Sequence, residues 1–517
     1  MLGALTRLPL LVAMMALSAA LMLLPAVHAV VTQDFYVARV FFYSALIFGF
    51  LTLFLAIAMA GRPEVEDPRR HLLALLGLFT GLPLMLAVPF HQAVLNTTFL
   101  NAYVEMVSSL TTTGATLFDS PERLPASVHL WRAVVGWFGG LIMWVAAVAI
   151  LAPMALGGFE VNAAPGDGET GFFAGNGWAS GASGAMRGMT TARTSARLGA
   201  YTRRLAPLYV ALTLLLWIGL FLAGDTPFVA LNHAMSTMAT SGISPVGGLS
   251  GGGAGLAGEA MVAIFLVFAI SRLAFAREGR MGETKSFVAD PEVRLGFAIV
   301  LLVTGFLFLR HWIGAYEFDD QTDYRAGFGA LWGTFFTALS FLTTAGFESA
   351  DWLGARNWSG LETQGLVLLG LALIGGGVAT TAGGAKLLRV YALYKHSVRE
   401  LERLVLPSSV GGAGSVARHI RSRGAFRAWI FFMLTALSVA GFMMAFALAG
   451  EGFETSMVLT LAGLTTTGPL AHWAVAEPVS YGALTTPPKL ILTAAMIMGR
   501  LETLAIVALL TPDLWRR

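Results

Sequence analysis

The sequence predicts an all-α integral membrane protein whose single chain repeats one pore-building unit four times. Three observations carry this. Of its 517 residues 56% are hydrophobic and only 12% charged, about half the charge of an ordinary soluble protein. Long uncharged runs recur along the chain. Between them, a short Thr- and Gly-containing segment returns four times.

Crossing a bilayer takes about 20 apolar residues at about 1.5 Å each. Such runs begin near Leu8, Val40, Leu72, Ala133, Ala206, Leu295 and Ala428, and shorter or interrupted ones near Ala260, Leu366 and Leu490. The first run is longer than a usual secretory signal core and is read as a retained helix. Lys and Arg collect in cytoplasmic loops. Of the 33 Lys and Arg residues, 25 fall at Arg7, 61–70, 187–204, 272–294, 386–427 and the last two positions. That distribution places both termini in the cytoplasm. It also accounts for the small net charge of +3 without a nucleic-acid partner, and zero cysteines exclude disulfides and thiolate metal sites.

Internal repeats decide a fold when present. The four segments are "MVSSLTTTGATLF", "AMSTMATSGISPV", "ALSFLTTAGFESA" and "TLAGLTTTGPLAH", centred on Gly114, Gly242, Gly346 and Gly468. A long apolar span precedes each, a helix-length stretch leads into it, and a second apolar span follows. The expected order is a transmembrane helix pair (1–60), pore repeat 1 (71–156), a cytoplasmic Gly- and Ala-rich loop (157–204) and pore repeat 2 (205–275). A cytoplasmic loop (276–294), pore repeat 3 with a broken second helix (295–394, break at 375–385), a cytoplasmic linker (395–427) and pore repeat 4 (428–517) complete it.

A half-helix that stops inside the membrane leaves its last carbonyls unpaired, which is tolerated only in protein or against a water-filled cavity. Each C-terminus carries about half a negative charge, so four that converge favour a cation. Glycine lets successive carbonyls turn to one side, and a ring of carbonyls replaces an ion's water shell. The expected cation-binding filter is therefore Thr112, Thr113 and Gly114, Thr240, Ser241 and Gly242, Thr344, Ala345 and Gly346, and Thr466, Thr467 and Gly468.

Two further features interrupt the expected spans. The stretch "GGGVATTAGGA" at 375–385 contains Gly375, Gly376, Gly377, Thr380, Thr381, Gly383 and Gly384. With each Gly costing about 1 kcal/mol relative to Ala in a helix, it is expected as a loop beneath the filter. Arg500, inside the last span, is too costly to face lipid and is expected to face the interior, where pairing with Glu105 or another buried acid is the plain structural alternative to a role beneath the filter. Glu105 and His233 are expected as satisfied groups on half-helices; Asp119, Glu348 and Asp351 follow filter loops on the outer side.

At these residues the chain resembles the TrkH-type subunits of the Trk/Ktr/HKT superfamily of potassium transporters. The resemblance covers the whole chain, including the N-terminal helix pair, and further rests on "GGLIMWVAAVAILAPMALGG", "GGGVATTAGGAKLLRV", "RELERLVLPSSV" and "MGRLETLAIVALLTPDLWRR". It implies a bacterial inner-membrane homodimer that passes K⁺ and associates with a cytosolic TrkA-type subunit, with NAD or ATP bound only on that partner; it also implies that the 375–385 stretch is a gating loop and that Arg500, beside it, holds it closed. In this family a glycine in every loop goes with K⁺ preference, and all four are present here. The second loop's "ATSGI", the Pro469 after the fourth glycine and the long 157–204 loop depart from the family pattern. The alternatives are a Na⁺-conducting or cation-symporting relative and, more distantly, a membrane-embedded enzyme. No "GxxxxGK[ST]" phosphate loop or "HExxH" constellation occurs in the chain.

Overall fold

The computed structural model describes residues 10–59, 68–154, 156–159, 194–271, 290–314, 324–361, 364–405, 422–475, 477–503 and 505–506. Most of the expected 157–204 loop, the 276–294 loop, the middle of the 395–427 linker and the last eleven residues lie outside these. Every regular element among the described residues is helical.

The chain opens with α1 (Leu10–Leu21), α2 (Leu23–Val31) and α3 (Phe35–Met59). A first group follows: α4 (Pro68–Ala93), the short α5 (Phe99–Leu110) and α6 (Ala126–Ala146), the last running on through a π-helical turn at Ala147–Leu151. The second group is α7 (Thr194–Ala223), α8 (Pro227–Ala239) and α9 (Gly255–Leu266). The third is α10 (Pro291–Gly314), α11 (Tyr324–Leu342), α12 (Trp352–Ser359), α13 (Gln364–Ile374) and α14 (Leu387–Val405). The fourth is α15 (Ser422–Leu448), α16 (Phe453–Leu464), α17 (Leu470–Trp473) and α18 (Thr486–Leu501).

Seven spans among the described residues are long and apolar enough to cross a membrane: Leu10–Val31, Phe35–Met59, His71–Ala93, Ala126–Leu151, Ala196–Ala223, Pro291–Arg310 and Gly424–Leu448. They match the seven long runs in the sequence. The three shorter runs become α9, α13 and α18, the second helices of groups two, three and four. Each is cut short where group one's α6 continues.

Local sequence sets the starts of the short helices. The side chains of Thr98 and Thr226 accept the Asn101 and Val229 amides, capping α5 and α8. Pro227 then occupies the first turn of α8, where its missing N–H is no loss.

Packing between groups is cyclic. The second helix of each group lies against the short helix of the next: α6 on α8, α9 on α11, α13 on α16, and α18 back on α5. The short helices, which lead into the four repeated segments, thus stand on the inside of a closed ring of helices. Outer faces are strongly apolar, with Leu222, Leu302, Phe54 and Leu437 more than two-thirds exposed. So continuous an apolar exterior suits lipid and not water.

Candidate functional site

The four short helices end in the same way. In each, the amide two residues before the glycine bonds a helix carbonyl three positions back, and the next amide bonds one five positions back. The first set is Thr112 to Ser109 (2.9 Å) with Thr113 to Ser108 (2.8 Å), and the second is Thr240 to Thr237 (3.1 Å) with Ser241 to Ser236 (3.0 Å). Thr344 to Phe341 (3.2 Å) with Ala345 to Ser340 (2.9 Å), and Thr466 to Gly463 (3.2 Å) with Thr467 to Ala462 (2.9 Å), complete the series. This pair of bonds is a Schellman cap, whose residue in the left-handed region is usually glycine. Here it is a threonine every time, with φ of 56° at Thr112, 51° at Thr240, 57° at Thr344 and 53° at Thr466.

That position is the only one besides the glycine at which all four segments carry the same residue. A β-branched side chain with positive φ is a strained outlier, so four of them mark a common constraint. Sequence reasoning placed this threonine in the filter but assigned the left-handed turn to the glycine alone, although the threonine's fourfold recurrence was visible.

The loops touch in cyclic order. A methyl group added to Gly114 would collide with the Ser241 carbonyl, one on Gly242 with the Ala345 carbonyl, one on Gly346 with the Pro469 ring, and one on Gly468 with the backbone of Gly114 and Ala115. Loops one and three, and loops two and four, therefore face each other across a common centre. Gly114, Gly242 and Gly346 take positive φ (71°, 65° and 77°), the turn expected of all four glycines. Gly468 does not, which corrects that expectation for the fourth loop. Its amide instead donates to the Thr113 carbonyl of loop one at 2.6 Å.

The returning limbs are held by a side chain nine residues before each of the first three glycines. Glu105 accepts the Leu117 amide at 2.9 Å and pairs with Arg132 at 2.7 Å. His233 meets the Ser244 hydroxyl at 2.9 Å and the Asp225 carboxylate at 3.4 Å. Thr337 accepts the Ser349 amide at 3.3 Å. Glu105 and His233 are thus satisfied structural groups, as expected. The fourth copy has Leu459 at this register.

Just after the repeated segments, Asp119 accepts the Ser480 hydroxyl (2.7 Å), Glu348 is buried with the Ser250 hydroxyl at 3.4 Å, and Asp351 is exposed. Glu259 accepts from Trp332, Ser349 and Ala350 (2.8, 2.6 and 2.7 Å), tying α9 to the third returning limb.

The 375–385 stretch is a loop, and it lies directly against the inner ends of the short helices. Its limbs are joined by amides of Ala385 to Leu373, Lys386 to Ile374 and Leu387 to Gly376, each 2.9 Å. Gly375 and Gly384, both with φ of 74°, cross at its neck, where a Cβ on either would strike the other. At its tip the Thr381 hydroxyl donates to the Met238 carbonyl (3.2 Å) and lies 3.3 Å from the Thr240 hydroxyl, while the Gly383 amide donates to the Thr344 hydroxyl (2.7 Å). A methyl on Gly383 would strike the Thr465 carbonyl and the Thr466 hydroxyl. Thr380 bonds within the loop, to the Gly377 carbonyl at 2.7 Å. The loop so engages two of the four left-handed threonines by their hydroxyls; those of Thr112 and Thr466 are buried without a partner.

Arg500 donates to the Thr381 carbonyl at 2.7 Å, and its Nε and second Nη are buried without partners. It does not pair with Glu105. Glu502 leaves the helix with φ of 65° and reaches Arg389 at 2.6 Å, while the Glu292 carboxylate accepts the Val378 amide at 3.0 Å. Lys386, at first sight a cytoplasmic flank, is buried and donates to the Ala382 carbonyl. Charged groups thus hold the loop from beneath.

Residues 287–514 match the TrkH family, described as cation transport protein. The Trk system potassium uptake protein TrkH of Halomonas elongata is 30% identical over 455 residues, covering 86% of this chain and 84% of that one. TrkH of Vibrio parahaemolyticus is 28% identical over 430 residues, covering 81% and 80%. The crystal structure of the potassium transporter TrkH from Vibrio parahaemolyticus superimposes with a TM-score of 0.78 at 25% identity and covers 99% of both chains. With the internal repeats, the cyclic packing and these likenesses in agreement, the chain belongs to the TrkH family of cation transport proteins.

Proposed function

We propose that this chain carries K⁺ into a bacterial cell through a pore along the common centre of its four repeated loops. The reading is supported above all by the meeting of four identically capped half-helix ends at one place. Their carbonyl ends present partial negative charge to that place, and strained threonines turn the following backbone toward it. Potassium is the ion named for the relatives. Carbonyls of Thr112, Thr113 and Gly114 and of their counterparts in the other loops supply the filter. About 2.3 kcal/mol per charge per 100 mV lets a negative interior drive accumulation without a second substrate.

In this reading the 375–385 loop is the gate, and Arg500 holds it under the filter by the Thr381 carbonyl. A positive charge there also raises the barrier to cations. The chain works as a homodimer in the inner membrane, with both termini cytoplasmic and a cytosolic, nucleotide-binding TrkA-type subunit acting on the gate. The family is one of transporters and not of enzymes.

The test is ⁸⁶Rb⁺ uptake and growth at low potassium in a bacterium stripped of its own K⁺ uptake systems, with and without a co-expressed TrkA-type subunit. Uptake above an empty-vector control and rescue of growth are expected. A chain that reaches the membrane and moves no Rb⁺ defeats the assignment, and ²²Na⁺ flux equal to Rb⁺ flux reassigns it to a Na⁺-conducting relative.

A further inference from the structure

The fourth loop departs from the other three from its glycine onward. The Gly468 carbonyl accepts two hydrogen bonds, from the Ala471 amide (3.1 Å) and the Tyr481 hydroxyl (2.7 Å), and the Thr467 carbonyl accepts the Leu470 amide (3.2 Å). The carbonyls of Gly114, Gly242 and Gly346, by contrast, accept none among the described residues. The cause is local: Pro469, with φ of −58° and ψ of −13°, turns the chain straight into α17, whose first amides fold back on those two carbonyls. Proline's ring fixes φ near this value, so the turn is built in.

The ring also reaches inward. Its Cγ lies 2.9 Å from where a Cβ on Gly242 would stand and 2.8 Å from the same point on Gly346. Gly242 belongs to the loop opposite the fourth, so the ring crosses the common centre and does not merely line one side. One layer further in, the carbonyls of Thr112, Thr240, Thr344 and Thr466 accept no hydrogen bond among the described residues. Of the three layers, the threonine layer is thus the one in which all four carbonyls are free of hydrogen bonds among the described residues.

We infer that Pro469 roofs the outer mouth of the pore and that Tyr481 positions it. The inference rests on the proposed transport reading and names the part of the filter that limits entry from outside. An ion that arrives there meets three carbon atoms of a rigid ring that offer no oxygen, while the Gly468 carbonyl behind it already accepts two hydrogen bonds. Passage requires the ring to swing aside, and the Tyr481 hydroxyl on the Gly468 carbonyl resists that movement. Tyr481 is a positioning residue, buried behind the loop.

The test compares Pro469→Gly and Tyr481→Phe with the unaltered chain by initial ⁸⁶Rb⁺ uptake, normalised to protein in the membrane, across a range of Rb⁺ concentrations. Pro469→Gly is expected to raise the maximal rate per molecule at least twofold. Tyr481→Phe, which removes one oxygen and keeps the ring, is expected to give a smaller rise in the same quantity. A per-molecule rate for Pro469→Gly equal to or below that of the unaltered chain overturns the roof, and an unchanged rate for Tyr481→Phe removes the positioning role. If the glycine variant fails to accumulate, Pro469→Ala, which keeps the helical φ accessible, is read by the same criterion. Failure of the unaltered chain itself to take up Rb⁺ refutes the transport reading, which separates the two outcomes.

Discussion

A buried carboxylate next to the proposed ion path has to be accounted for residue by residue. Glu105 is fully buried, yet both of its oxygens are committed, one to Arg132 and one to the Leu117 amide. Removing one partner of a buried ion pair costs about 3–5 kcal/mol, because the other charge is left without compensation. Glu105→Gln keeps the shape and can still accept the Leu117 amide, but strands the Arg132 guanidinium. It is expected to lower the melting temperature of the purified protein by several degrees and to reduce discrimination of Rb⁺ over Na⁺ in uptake, since a neutral amide no longer anchored by Arg132 holds the first returning limb more weakly than the carboxylate does. Double replacement with a neutral pair, Glu105→Gln with Arg132→Met, should recover stability. If the single variant melts with the unaltered chain, the pair is not what braces the limb. A different argument applies to Gly114: its positive φ and its contact with the Ser241 carbonyl leave no room for a side chain. Gly114→Ser is expected to lower Rb⁺ uptake severalfold relative to Na⁺ uptake, and an unchanged ratio would show that the first wall does not select.

At the scale of single elements, the 375–385 loop, proposed as the gate, yields the sharpest test. The loop is held to the ends of α8 and α11 by hydrogen bonds from its tip, and Arg500 donates to it at Thr381; both contacts bear on one conformation. Arg500→Ala removes the donor to the Thr381 carbonyl; Gly383→Ala drives a methyl group into the Thr465 carbonyl and the Thr466 hydroxyl. Each is expected to raise Rb⁺ uptake in the absence of a regulatory subunit. The double variant should exceed neither single one by much, because residues in one network do not act additively. Uptake by Arg500→Ala equal to that of the unaltered chain would remove its gating role. The loop was legible in the sequence because five glycines in eleven residues cannot form a stable helix. What was not legible is that its limbs pair with each other, or that Lys386 turns inward, since both depend on where separate helices cross. The half-helix ends show the same division. Their existence followed from "LTTTG" and its copies, whereas the strain falls on the threonine and not the glycine because the cap counts residues from the helix end. Only coordinates reveal that count. The fourth loop was the least readable, because Pro469 redirects a backbone that otherwise copies its three predecessors.

The whole molecule closes on itself through α18 and α5, so the first and last groups must enter the membrane in the same orientation for the ring to form. This makes orientation a property of the assembly and not of any one helix. The half-helix carbonyl ends point toward the gate loop, and the basic α14 continues from that loop. If Lys and Arg mark the cytoplasm, the negative ends of the half-helices face inward, and a cation that enters from outside meets the Pro469 ring before the threonine layer and the gate. The absence of cysteine from the chain permits a direct check with single-cysteine variants. Leu95, 69% exposed between α4 and α5, is expected outside; Leu404, 78% exposed near the end of α14, is expected inside. A membrane-impermeant maleimide should label Leu95→Cys in intact spheroplasts and Leu404→Cys only after lysis. Neither residue contacts the filter or the gate, so both variants should retain Rb⁺ uptake and the labelling should report a functional fold. The opposite pattern would invert the chain, place the gate loop on the outside and leave a cytosolic subunit with nothing to act on.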